Sequence, residues 1–431
     1  MKKIPLHSLI ILVGPSGAGK STLASSKFEH YEIISSDRIR EELVGDVERQ
    51  DVNDMVFREL HRRVALKLEL GERVVVDSTN LIKRDRLPIA EVGIRIGLPV
   101  FYVVVNRSIS DKEKSGSWRV AVPGLVQKQE EMFKLNEREI LRGDSVATVI
   151  DTRVDEFDVI KKYSKDNVLE DIKQRGYRGI TVVGDVHGNL EALKSAIDWA
   201  FARGMLIAFL GDIVDYGPYS LECVNLVYDL VMRDRAIMTW GNHERKIERW
   251  FDQQRKVLHD PHYLKNKNPI RLSDGNKATT TQIEALPLEA RVKFESRFRA
   301  LLGFARHHWV IGGKTIFVHG AADPEMFSMN TSRLTGRLET MAMFGEVSEK
   351  TPQRDDGFPN RVYNWVDRVP NGHRVIVGHD IRSTERPLVV KGALGGEAVF
   401  MDTGSSKGGK LTTADLTIKG DELMVQNFTT H

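Results

Sequence analysis

Leu9-Ile10-Ile11-Leu12-Val13-Gly14-Pro15-Ser16-Gly17-Ala18-Gly19-Lys20-Ser21-Thr22 decides how the first third of the chain folds. The apolar run Leu9 to Val13 reads as a buried strand, and Gly14 to Ser21 satisfies G-x-x-x-x-G-K-[ST] at every fixed position. In such a loop the glycines let backbone N–H groups turn toward phosphate oxygens, and the following helix adds its positive end. Lys20 then reaches the β and γ phosphates of ATP, and Ser21 ligates Mg²⁺. Gly14, Ser16, Gly17, Ala18, Gly19, Lys20, Ser21 and Thr22 are therefore the expected nucleotide-binding residues. An ordinary glycine-rich turn would need neither the Lys nor the Ser.

Outward from this loop, apolar runs alternate with amphipathic stretches: strands at Glu32 to Ser35, Arg73 to Asp77 and Val100 to Val105, with helices between. That alternation predicts a parallel sheet wrapped by helices. Each strand ends on the loop side in polar residues that can act on a phosphoryl acceptor. Asp37 is placed to take a proton from an attacking hydroxyl, and Arg40, three residues on, to hold an anionic acceptor. Asp37 also fits a helix N-cap, and the two roles are compatible. Asp77, in Asp77-Ser78-Thr79-Asn80, fits a cap as well as it fits a site residue.

A charged stretch, 155–178, separates this expected domain, 1–154, from a second one, 179–431. In the second, apolar strands run into Gly184-Asp185-Val186-His187-Gly188, Gly211-Asp212-Ile213-Val214-Asp215, Gly241-Asn242-His243-Glu244, His319-Gly320 and Gly378-His379. The first three Asp or Asn positions are 27 and 30 residues apart (212−185, 242−212), room for one strand-helix-strand crossover each. All can then converge at one sheet edge. Carboxylates with imidazoles suit a pair of Mn²⁺, Fe or Zn ions that polarise a phosphate and activate water. Any one of these turns alone would be unremarkable; together and in order they predict a metal site. After Gly312 short strands predict two packed sheets.

The totals agree with a multidomain soluble protein. The 431 residues are 41% hydrophobic and 29% charged, too long a chain for one core. With 63 basic against 60 acidic residues, bulk charge argues for no polyanion or membrane partner. The single Cys223 excludes an intrachain disulfide framework and fits a cytoplasmic setting. Neither a signal peptide nor a membrane span is expected.

The N-terminal set resembles the kinase domain of bifunctional polynucleotide kinase/phosphatases, although small-molecule kinases share much of the layout. The resemblance implies Asp37 as general base toward a 5′-hydroxyl, Arg40 on the acceptor phosphate, and Arg119 in Trp118-Arg119-Val120 as a lid residue. The second set resembles the calcineurin-like metallophosphoesterases, in the branch with serine/threonine phosphatases and diadenosine tetraphosphatases. It implies Asp185 and His187 on one metal, Asp212 bridging, Asn242, His319 and His379 on the other, and His243 with Asp215 protonating the leaving oxygen. Asp402 in Asp402-Thr403-Gly404 matches a late element of the bacterial members. This branch has Arg where the chain has Tyr216, so a phosphate clamp is expected elsewhere, with Arg245, Arg354 and Arg382 as candidates.

Order and content together resemble bacterial and phage end-healing enzymes. They imply ATP with Mg²⁺ at the first site and two divalent ions, Mn²⁺ first among them, at the second. RNA or DNA ends would be the substrates: 5′-hydroxyls phosphorylated, 3′-phosphates or 2′,3′-cyclic phosphates removed, and a separate ligase sealing the product. A small-molecule kinase fused to a dinucleotide-polyphosphate or protein phosphatase is the alternative, and a non-catalytic nucleotide-gated module a third reading. Basic residues interleaved with Trp250, Phe251 and Tyr263 suit either nucleic-acid stacking or the solvated face of a helical cap.

Overall fold

The computed structural model describes residues 2–69, 72–115, 122–161, 168–259, 269–329, 333–348, 353 and 360–431. It divides the chain into two compact units, Met1–Lys162 with Met232–Asp234, and Tyr163–Val231 with Arg235–His431.

In the first unit strands β1 (Lys2–Ile4), β2 (Leu9–Val13), β3 (Ile33–Ser35), β4 (Val74–Asp77), β5 (Val100–Val104), β6 (Thr148–Asp151) and β7 (Phe157–Val159) alternate with helices. The helices are α1 (Lys20–Lys27), α2 (Ser36–Val44), α3 (Asn53–Glu69), α4 (Lys83–Ile96), α5 (Ile109–Glu113) and α6 (Leu125–Leu141). The main sheet has the order β3-β4-β2-β5-β6 and is parallel throughout. Parallel strands covered on both faces must be apolar along their length, and every residue of β2 and β5 is buried. Helix α3 supplies part of the cover through Val56, Leu60, Val64 and Leu68, one residue per turn. Strand β2 is central, with β4 on one side and β5 on the other. Its C-terminal end is the point where strand order reverses and ligands bind in open α/β sheets. Within the stretch read as linker, β7 pairs in parallel with β1.

The second unit begins, among described residues, with α7 (Val168–Gln174). There follow β8 (Gly179–Val183), α8 (Leu190–Ala202), β9 (Leu206–Phe209), α9 (Ser220–Met232), β10 (Ala236–Met238), α10 (Asn242–His259), α11 (Asp274–Glu284) and α12 (Leu288–Phe304). The rest is β11 (His308–Ile311), β12 (Thr315–Val318), α13 (Gly336–Phe344), the short pair β13 (Glu346–Val347) and β14 (Arg361–Val362), β15 (Arg374–Val377), β16 (Leu388–Lys391), β17 (Glu397–Phe400), β18 (Thr412–Lys419) and β19 (Glu422–Thr430). One sheet runs β10-β9-β8-β18-β19 and the other β11-β12-β15-β17-β16, so the unit is an α/β double-sheet fold. One face of the second sheet packs Val310, Ile316, Val318, Val375, Val377 and Phe400 around Trp365 and Met341.

The strand positions expected from sequence hold to within a residue, but β18 and β19, besides six shorter strands, were not anticipated. They form a hairpin around Gly420, whose φ of 62° suits a two-residue turn, and β18 closes the first sheet against β8 in antiparallel register. Residues Thr412 to Leu416 are buried on both faces, so their polar–apolar sequence alternates without the exposure it normally signals.

Candidate phosphoryl-transfer sites

In the first unit the loop after β2 folds as its glycines require. A Cβ on Gly14 would stand 1.9 Å from the carbonyl oxygen of Val105, and Gly17 and Gly19 have φ of 74° and 99°. The Ser16 N–H donates to Gln129 Oε1 at 2.7 Å. Lys20, the first residue of α1, is buried and its Nζ donates to Pro15 O at 2.9 Å. Ser21 Oγ donates to Asp77 Oδ2 at 2.7 Å, so two hard oxygens meet beside the loop, the arrangement a Mg²⁺ ion takes. A cavity of ≈ 940 Å³ opens here, lined by Ser16, Gly17, Gly19, Lys20, Ser21, Thr22, Asp37, Asp77, Arg107 and Lys114 among others. It is large enough for a nucleotide and an acceptor together. Gly14 does not line it, and Ala18 packs beneath in the apolar cluster with Ile10 and Val105.

Asp37 stands on the cavity wall in the first turn of α2, whose N-cap is Ser35, so the carboxylate is not the cap. Arg40 corrects an expectation. Its side chain is 2% exposed and donates to Asp37 Oδ1 at 2.8 Å and to Asn53 Oδ1 at 2.6 Å. With its guanidinium committed inward it does not line the cavity; it fixes the carboxylate rather than an acceptor phosphate. Arg119 lies outside the described residues.

In the second unit the loops after β8, β9, β12 and β15 converge. His319 Nδ1 donates to Leu210 O at 2.7 Å, and both Asp185 oxygens accept the His379 N–H at 3.0–3.1 Å. Close approach demands glycine: a Cβ on Gly241 would stand 2.3 Å from Asp212 N, and one on Gly378 2.2 Å from Asp185 Oδ1. The backbone is also bent hard. His187, Asp212, Asp215, Tyr216 and His379 all have φ between 50° and 79°, a region non-glycine residues occupy at functional sites.

Asp212 stands between two groups of donors, His187 with His243 and His319 with His379. Nδ1–H of His187 donates to Val214 O at 2.9 Å, and that of His319 to Leu210 O, which leaves each Nε2 lone pair facing inward. Around His319 Nε2 lie Asn242 Oδ1 at 2.9 Å, His379 Nδ1 at 3.1 Å and Asp212 Oδ2 at 3.3 Å. Such a convergence of acceptors fits a cation. On the other side Asp185 Oδ2 is 3.9 Å from His187 Nε2. We assign this place to Asp185; His243 Nε2 also faces it, 3.7 Å from Asp212 Oδ2, while its Nδ1 is held by Asp215 Oδ2 at 2.5 Å. Among the described residues, buried His379 Nε2 and Asp402 Oδ2 have no hydrogen-bond partner. The titration of the cluster reflects its crowding. Burial and the neighbouring Asp402 push the Asp185 carboxyl well up, while burial pushes His187 down to about 3. Burial also lowers His243, but Asp212 and Asp215 outweigh it and raise the ring to about 9. The residues thus fit divalent cations, which Asp185, His187, Asp212, Asn242, His319 and His379 would hold and which would supply Lewis acidity and a nucleophilic water. His243, held by Asp215, is placed to give its proton to a departing oxygen.

Sequence reading missed the residues that hold these groups in place. Glu244 is fully buried and accepts the N–H groups of Asp212 (2.8 Å), Ile213 (2.7 Å) and Val214 (3.2 Å). Its place directly after Asn242-His243 was the available signal. Asn276 donates to Asp215 Oδ2, and Ser220 and Thr279 hydroxyls accept the Asp215 N–H at 3.0 and 2.9 Å. Nothing in the local sequence around 276 marks it. Lys407 reaches His187 Nε2 at 2.8 Å.

Of the clamp candidates, Arg245 is paired with Glu248, Arg382 lies 3.8 Å over the Tyr363 ring, and Arg354 falls outside the described residues. Trp250 and Phe251 are buried, Trp250 against Phe251 and Phe251 against Phe294 and Phe298, so they cannot stack bases. Tyr263 also lies outside the described residues.

Residues 9–113 match the AAA domain family and residues 179–392 the calcineurin-like phosphoesterase family. The chain thus joins a kinase-like P-loop domain to a calcineurin-like metallophosphoesterase domain. Over 243 residues it is 27% identical to the asymmetrical bis(5′-nucleosyl)-tetraphosphatase PrpE of Halalkalibacterium halodurans, covering 54% of this chain and 87% of that protein. A protein of the same name from Geobacillus thermodenitrificans is 26% identical over 244 residues, with 54% and 88% covered. A metallophosphoesterase structure from Sphaerobacter thermophilus superposes with a TM-score of 0.32 at 17% identity over 58% of this chain and 87% of that one, too loosely to weigh in the argument.

Proposed function

We propose that the chain is an end-healing enzyme of nucleic acids. The first site transfers the γ-phosphate of ATP, with Mg²⁺, to a 5′-hydroxyl. The second, loaded with two Mn²⁺ ions, removes a 3′-phosphate or 2′,3′-cyclic phosphate. The observation that carries the reading is Asp37 on the wall of the cavity that holds Lys20 and Ser21, its carboxylate fixed by Arg40. A fixed base beside a phosphate loop serves an alcohol acceptor, and a phosphatase on the same chain fits an acceptor that also carries a phosphate to be removed. RNA and DNA ends share this chemistry, and a separate ligase would use the product.

A second reading is hydrolysis of dinucleoside polyphosphates at the second site, favoured by the 27% identity to the tetraphosphatase over 87% of its length. Three assays on the full chain separate the two: γ-phosphate transfer to a 5′-hydroxyl oligonucleotide, phosphate release from a 3′-phosphorylated one, and nucleotide release from diadenosine tetraphosphate. Transfer abolished in Lys20→Ala, with 3′-phosphate release abolished in Asp212→Asn, is the expected result. Activity on diadenosine tetraphosphate alone overturns the end-healing reading.

A further inference from the structure

We propose that Lys407 is the cation that grips the substrate phosphoryl group at the second site, with Tyr216 as its platform. The inference rests on the phosphoesterase reading of that site and not on which phosphate ester it hydrolyses.

A phosphate dianion approaching this cluster meets Asp185, Asp212 and Asp402, all buried carboxylates. A site that binds it needs positive charge at the mouth besides the metals. Lys407 is the side chain in position. Lys407 is exposed, its Nζ lies 2.8 Å from His187 Nε2, and it stands 4.3 Å from the centre of the Tyr216 ring. A metal ion held by His187 Nε2 would displace the ammonium from that lone pair and leave it over the Tyr216 face beside the site, and among the described residues no carboxylate pairs with it. Every cation read from the sequence as a clamp and described here is engaged elsewhere, Arg245 with Glu248 and Arg382 on Tyr363 and Phe400.

The surroundings are built to hold this placement. The turn from Gly404 to Gly409 is closed by the Lys407 and Gly409 N–H groups on Gly404 O at 2.8 and 2.9 Å. Ser405 anchors it by donating to Val186 O at 3.1 Å, between the two metal-site residues Asp185 and His187. A Cβ on Gly409 would stand 1.8 Å from Thr403 O, so the turn tolerates no other residue there. Tyr216 is 42% exposed at the mouth, with its ring edge-on to His187 at 4.9 Å. Its ring rests on Gly275, where a Cβ would stand 2.9 Å from the Tyr216 ring carbons. A lysine ammonium over a tyrosine face keeps a flexible four-carbon arm near one spot without neutralising its charge.

The test needs no physiological substrate. Inorganic phosphate is titrated calorimetrically into the full chain loaded with Mn²⁺, and p-nitrophenyl phosphate hydrolysis is followed in parallel. Lys407→Ala is expected to weaken phosphate binding and raise KM by about ten- to a hundredfold, the worth of one charge-assisted hydrogen bond, with kcat changing less. Lys407→Arg restores most of the binding, and Tyr216→Leu weakens it to a smaller extent. Bound manganese, measured by elemental analysis, stays at two per chain in all three. Unchanged phosphate affinity in Lys407→Ala overturns the proposal, and so does loss of manganese from that variant, which would make Lys407 part of the metal scaffold. If the parent protein releases nothing from 3′-phosphorylated oligonucleotides, the end-healing reading fails while the phosphate titration still decides this one.

Discussion

Glu244 Oε2 accepts the backbone N–H of Asp212 at 2.8 Å, and its second oxygen takes the N–H groups of the next two residues. One buried carboxylate therefore sets the left-handed turn that aims Asp212 between the His187–His243 and His319–His379 groups. Burial, with repulsion from Asp212, lifts its carboxyl to about 7, and His319 with the Asp212 and Val214 N–H groups works against that rise. Glu244→Gln puts an amide NH₂ against a backbone donor. We expect a loss of about 1–3 kcal/mol in stability, since a buried donor loses its acceptor. Manganese affinity should fall about ten- to a hundredfold, as it does when outer partners of metal ligands are removed. Denaturant melts of the metal-free protein and metal titrations measure the two effects separately. Wild-type metal affinity in the variant would remove Glu244 from the support of the site.

We propose His243 and Asp215 as the proton-delivering pair, a role that leaving-group dependence exposes. With an alkyl phosphate the departing oxygen needs a proton, so His243→Asn should lower kcat by about 10²–10⁴. With p-nitrophenyl phosphate the leaving phenolate is stable and the loss should be far smaller. Asn276→Ala, which removes a donor from Asp215, should reproduce the same pattern at lower amplitude. Equal losses on both substrates would instead place His243 among the metal-holding residues, with the His187 and Asp212 group it adjoins.

At the first site Lys20 and Asp37 should separate binding from chemistry. Lys20→Ala removes the charge proposed to meet the β and γ phosphates and should abolish transfer with weakened ATP binding. Asp37→Asn should retain ATP binding while transfer to any hydroxyl falls by about 10²–10⁴, the usual contribution of a general base. Arg40→Lys keeps a charge but not the planar fork that reaches Asp37 and Asn53 together. Transfer should fall in that variant without a change in acceptor KM, because the guanidinium is turned away from the cavity. A raised acceptor KM would return Arg40 to the role first read from the sequence.

What the sequence displayed were the residues whose type and position are both fixed by chemistry. A phosphate loop needs its glycines, Lys and Ser in one short run, and Asp185, His187, Asp212, Asn242, His319 and His379 each follow an apolar strand, so strand ends and ligands are read together. Support residues obey no such rule. Asn276 lies 61 residues from Asp215 (276−215), and a helix of ordinary composition carries it. Lys407 reaches the site only because the Gly404 to Gly409 turn folds back, which a run of small residues does not disclose. Arg40 shows the reverse failure: its position was evident, but which way a buried side chain turns depends on Asn53, thirteen residues on.

Trp250 and Phe251 give a further test of where the second unit draws its stability. The Trp250 ring meets that of Phe251 at 5.2 Å, Phe251 meets Phe294 and Phe298 of α12 at 6.5 and 5.8 Å, and Phe298 is fully buried. This cluster fastens α12 to α10, the helix whose first residues are Asn242 and His243. Phe298→Ala should cost about 3–5 kcal/mol through lost burial and an unfilled cavity. Thermal melts should show the loss, and manganese binding should weaken with it because the start of α10 is no longer held. Adenosine nucleotide binding at Lys20 should stay at its parental value. If the nucleic-acid stacking reading of Trp250 were right, Trp250→Leu would weaken oligonucleotide binding while leaving the melt unchanged. A buried indole predicts the opposite: a lower melting temperature, with the affinity of the remaining folded protein for oligonucleotide unaltered.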